Sequence, residues 1–91
     1  MSVSPTGIAE AEILEAGVKL QPNPTNGIVM LSSKYEFEKI ELLSVTGQII
    51  LSEFSNEKAK QINLSVFAEG IYFVKITYVN GLNITKKLIK Q

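Results

Sequence analysis

From Val18 onward the chain is cut into short β-branched and aromatic runs by turns rich in glycine, proline and asparagine, a rhythm that points to an all-β fold. In the clearest run, residues 70–79, Tyr72, Val74 and Ile76 share one face of a strand and Ile71, Phe73, Lys75 and Thr77 the other. The first set is expected in the core. Asn80-Gly81 follows as the strongest hairpin signal in the chain, and residues 82–90 return as the last strand. Gln61-Ile62-Asn63-Leu64-Ser65 alternates in the same way, which turns Ile62 and Leu64 inward. Thr46-Gly47, between residues 39–45 and 48–54, suits a two-residue hairpin with glycine at positive φ. Residues 18–20 read as a brief first strand, stopped by Gln21-Pro22-Asn23-Pro24, where two prolines remove ladder donors. Residues 28–32 make the next strand, and residues 33–37 and 55–60 are expected as polar connections. At Leu42-Leu43 the alternation breaks, which calls for either a bulge or burial on both faces.

Seven short strands without helices leave an apolar face wet unless two sheets pack together, so the expected fold is an immunoglobulin-like antiparallel β-sandwich of about seven strands. Tyr72 follows Gly70 at the start of the penultimate strand, where such folds carry a tyrosine that bonds back to the preceding corner. Ile71 and Phe73 make the outer face unusually apolar, and cover by a loop is favoured over cover by a partner.

A chain of 91 residues has material for one core. Residues 1–17 mix Pro5 and Gly7 with an Ala/Glu-rich stretch at 9–16 too short for a stable isolated helix, and read as a linker. The compact domain is expected over residues 18–91. Met1-Ser2-Val3-Ser4 has neither a basic nor an apolar signal-peptide region, so an export signal is expected further upstream in a longer parent. Apolar runs fall far short of the ~20 residues a membrane-spanning helix needs, and no membrane insertion is expected.

Cysteine and histidine are both absent, which removes disulfides, thiolate metal sites, a cysteine nucleophile and the usual general base. Glu36, Glu38 and Glu41 read as a solvated strand face rather than paired catalytic carboxylates. Pro22-Asn23-Pro24-Thr25-Asn26-Gly27 has the residues of a turn and lacks the aspartates of a calcium loop. No catalytic residue, cofactor or metal is therefore expected. Residues 1–69 hold all nine acidic groups and five lysines, a balance of −4, and residues 70–91 hold four lysines and no acid, +4. No cation is an arginine, so the forked pairing that reads phosphates and base edges is missing and no nucleic-acid partner is expected.

Four blocks in this order resemble the C-terminal sorting domain of the type IX secretion system, type A. They are Val18-Lys19-Leu20-Gln21-Pro22-Asn23-Pro24-Thr25-Asn26-Gly27, then Val45-Thr46-Gly47-Gln48, then Leu64 with Gly70-Ile71-Tyr72-Phe73-Val74-Lys75-Ile76, and last Lys86-Lys87-Leu88-Ile89-Lys90. The resemblance covers residues 18–91; Gln21 stands where the family usually has an aromatic, and Val66 where it usually has glycine. It implies a module at the end of a larger cargo protein in bacteria of the Bacteroidetes type. The secretion machinery recognises the folded domain in the periplasm and carries the cargo across the outer membrane. A sortase-like surface peptidase then cuts in the preceding linker, here residues 4–17, leaving cargo at the cell surface or outside the cell.

The protein-recognition residues it suggests are Lys86, Lys87, Leu88, Ile89, Lys90 and Gln91 at the basic end, with Pro22, Asn23, Pro24, Gly27, Gly70 and Tyr72. Edge lysines also have a plainer use in preventing edge-to-edge aggregation. The rival reading is an accessory β-sandwich of a secreted enzyme or adhesin that binds carbohydrate or protein. Its aromatic platform would draw on Tyr35, Phe37, Phe67 and Phe73.

Overall fold

The computed structural model describes residues 17–79 and 81–91; the expected linker, apart from Gly17, and Asn80 lie outside them. It is all-β, with β1 (Lys19–Gln21), β2 (Ile28–Ser44), β3 (Ile49–Asn63), β4 (Gly70–Tyr78) and β5 (Asn83–Lys90). All pairings between these strands are antiparallel, in the order β1-β2-β4-β5, with β3 on the other side of β2.

Seven strands were expected and five are found, because residues 33–37 and 55–60 continue as strand instead of looping. At the usual rise per residue a straight β2 would span roughly 53 Å. The whole body measures 43 × 23 × 21 Å, so β2 must bend. The β2–β3 register shows how: it shifts between Ser32 and Phe37 and again between Phe37 and Lys39. Extra residues on one strand and then on the other bend the hairpin without ending it. The first half of β2 pairs with β1 and the end of β3, and the second half with β4 and the start of β3. One hydrogen-bonded sheet thereby curls on itself.

The curl encloses one core of Val29, Leu31, Phe37, Ile40, Leu42, Ile62, Leu64, Tyr72, Val74, Ile76, Tyr78 and Leu88. The alternation at Tyr72, Val74 and Ile76, and at Ile62 and Leu64, is thus read correctly from sequence. Phe37 is not: expected in a polar connection, it is fully buried at the bend. Beside it the Tyr78 hydroxyl meets Ser33 Oγ at 2.8 Å, and burial pushes the phenol above its ordinary pKa while that hydrogen bond pulls it down. At Leu42-Leu43 both alternatives are realised. The register shifts there, Leu42 enters the core, and Leu43 is half-buried.

The two tight hairpins share one construction. In the first, Gly47 N–H donates to Ser44 O at 2.9 Å and Ser44 N–H to Gln48 O at 2.8 Å; in the second, Gly81 N–H donates to Tyr78 O at 2.9 Å and Tyr78 N–H to Leu82 O at 2.8 Å. Each is a three-residue loop, one longer than the Thr46-Gly47 pattern suggests, with glycine at φ +91 and +89 where a Cβ would be strained.

Candidate recognition site

The residues singled out at the two ends of the sequence meet in space. The Asn23 side-chain amide donates to Lys87 O at 3.0 Å, and its carbonyl oxygen accepts from Ile89 N–H at 3.1 Å. Two residues on, Thr25 N–H donates to Ile89 O at 2.9 Å and Thr25 O accepts from Gln91 N–H at 2.8 Å, an isolated parallel bridge. The turn therefore lies along the outer edge of β5 and covers its last third. Prolines on either side of Asn23 suit this, in a bent stretch of chain, because they bring no N–H of their own that needs a partner.

The turn is anchored beneath. Thr25 is buried; its hydroxyl donates to Ile28 O at 2.8 Å and accepts from Gly27 N–H at 3.1 Å. Gly27 is buried as well, and its carbonyl accepts from Leu64 N–H at 2.6 Å. Thr25 was read from sequence only as part of the turn. A threonine two residues before a glycine was the available signal, since such hydroxyls bond nearby backbone.

A second anchor holds the other side of the last strand. Gly70 opens β4 at φ +150, and the Tyr72 hydroxyl donates back to Ala68 O at 2.5 Å, the corner expected of a tyrosine at this place. The Phe67 ring packs on Tyr72 with centroids 6.3 Å apart. Lys90 Nζ donates to Phe67 O at 2.9 Å.

The twelve singled-out residues thus divide. Lys86, Lys87, Gln91, Pro22, Asn23, Pro24 and Gly70 are exposed, and Ile89 and Lys90 half-buried, with the Lys90 ammonium spent on the corner. Leu88, Gly27 and Tyr72 are buried, and Leu88 is a full member of the core. What the arrangement leaves exposed is a ledge: the Pro-Asn-Pro turn, Lys86, Lys87 and Gln91.

The competing sites are not assembled in this way. Phe37 is in the core and Phe67 packs on Tyr72, so neither joins a flat aromatic platform. The Glu41 carboxylate is buried 3.5 Å from Lys39 Nζ. Phe54 is the aromatic that stands out, 75% exposed with the Lys39 ammonium 5.4 Å from its ring centroid. An open cleft of about 420 Å³ lies beside it, lined by Glu38, Phe54, Ser55 and Asn56, and none of the twelve residues lines it.

No curated protein matches this chain closely enough to count as a relative. The family model described as the secretion system C-terminal sorting domain matches residues 19–91, which takes in the Pro-Asn-Pro turn, both hairpins and the basic last strand. The chain belongs to that family, the C-terminal sorting signals of the type IX secretion system, which interact with its machinery for export across the outer membrane to the cell surface or beyond.

Proposed function

We propose that the machinery reads this domain as a folded body, in the periplasm, through the ledge that the Pro-Asn-Pro turn and the end of β5 build together. The bent β2–β3 hairpin acts as the two facing layers of an immunoglobulin-like sandwich, and its rigidity holds the ledge in one shape. The domain does no chemistry of its own. A sortase-like surface peptidase cuts within residues 4–17, and the cargo stays on the surface or leaves the cell.

The observation that carries this reading is the contact between Asn23 and the Lys87–Ile89 backbone. It joins two parts of the chain 64 residues apart into one exposed feature beside Lys86 and Lys87, whose ammonium groups make no ion pair among the described residues. Unpaired exposed cations steer an acidic partner at no cost to the fold.

The test fuses residues 1–91 behind an exported reporter in a host with type IX secretion. Lys86→Glu with Lys87→Glu is expected to cut delivery outside the cell by about tenfold or more. Lys34→Glu with Lys58→Glu changes net charge equally at two exposed positions on β2 and β3 and is expected to leave it intact. Undiminished delivery by the Lys86/Lys87 variant, or an equal loss in both, contradicts the reading.

A further inference from the structure

β5 is an edge strand, and the described residues cover only part of its edge. In an antiparallel ladder the backbone groups of successive residues point alternately toward and away from the partner strand. Ile89 N–H and O and Lys87 O are bonded by Asn23 and Thr25 on the side away from β4, so the odd-numbered residues of β5 are the outward ones. On this parity Asn83 and Thr85 each turn an N–H and a C=O outward, and Lys87 an N–H. Among the described residues no strand pairs with that stretch.

The geometry points to the Asn83–Lys87 edge of β5 as the place where an extended, carboxylate-bearing strand of the secretion machinery adds to the sheet; this rests on the function proposed above. The open stretch is roughly 17 Å long, enough for a short strand to make a backbone ladder. Lys86 and Lys87 are neighbours on one strand and project to opposite faces. Acids at adjacent positions of an incoming strand would likewise point to opposite faces and meet both, whereas one surface carboxylate meets only one. Asn23 and Thr25 mark where the added strand must stop. Lysines that merely deter aggregation explain the charge. They do not explain an edge sealed by four hydrogen bonds at one end and, among the described residues, unpaired over the rest.

The same reporter assay separates the two ideas through the backbone. Thr85→Pro removes an outward N–H that has no partner among the described residues, at an edge position that tolerates proline, and leaves both lysines in place. Asn83→Pro does the same at the first residue of the strand. Each is expected to keep its thermal melt and lose about tenfold or more of its delivery, while Thr85→Val, which keeps the N–H, delivers normally. A proline variant that folds and delivers as the parent does overturns strand addition and leaves the ledge reading standing. Failure of the unsubstituted fusion to leave the cell overturns both. Should both prolines unfold the body, a photoreactive side chain at Thr85 is expected to crosslink during export in clear excess over one at Glu57 on the β3 edge; equal yields overturn the proposal.

Discussion

Asn23 replaces a strand with a single side chain. Its amide sets an N–H donor beside a carbonyl acceptor, as a peptide group does, and both sides are used on the backbone of β5. Asn23→Ala leaves Lys87 O and Ile89 N–H to water, so it is expected to cost about 1 kcal/mol, a typical net value for an exposed pair of this kind. The loss should be local: amide exchange at Ile89 and Gln91 speeds up while that at Val74 follows global unfolding, and unchanged exchange at Ile89 contradicts the role given to Asn23. Nothing in the sequence discloses such a contact. Pro-Asn-Pro announces a turn, because turn chemistry is local, but the partner lies 64 residues away and is chosen by the fold. Lys90 teaches the same lesson. Its charge is legible and suggests an exposed handle, yet its ammonium reaches the Phe67 carbonyl, since a long stem lets the head find a corner that sequence distance conceals.

Among the elements, the strands and their inward faces were legible because period-two alternation is a direct record of which side meets water. The joins between them were not. Residues 33–37 and 55–60 are polar enough to look like loops, but β2 and β3 run antiparallel from one tight turn, and their mutual pairing carries the ladder through the bend at Phe37 opposite Glu57. Bulges have no strong sequence mark, so two long bent strands look like four short ones. The last element has a consequence for experiments on the tail. Leu88 is fully buried and pairs with Tyr72 across the ladder. Leu88→Ala is expected to destabilise by about 2–5 kcal/mol, a large share of what a domain this small has in reserve. Removal of residues 88–91 takes the bridge to Thr25 and the Lys90 anchor as well, and should abolish the cooperative melt. A deletion that melts like the parent would show that the end of β5 is dispensable to the fold. On the present structure such a truncation reports on folding before it reports on recognition, and charge or backbone substitutions are the sharper tools.

At the scale of the molecule, the order and spacing of four short blocks pointed to the family, although each block alone is a commonplace turn or strand. The structure supplies the physical reason for the first and last of them: the Pro-Asn-Pro turn caps the edge of the basic strand, so each helps to hold the other in place. The third block supplies the opposite support, through Gly70, Tyr72 and the corner that Lys90 joins. On the proposed reading the address depends on the body being folded, because the ledge exists only when distant parts of the chain come together. The most direct measurement compares delivery of a reporter carrying residues 1–91 with the same fusion bearing Leu42→Asp, which puts an unpaired carboxylate at a fully buried position and leaves every ledge residue unchanged. The parent fusion is expected outside the cell and the unfolded one retained; delivery of the unfolded chain at the parent's level would contradict recognition of a folded domain.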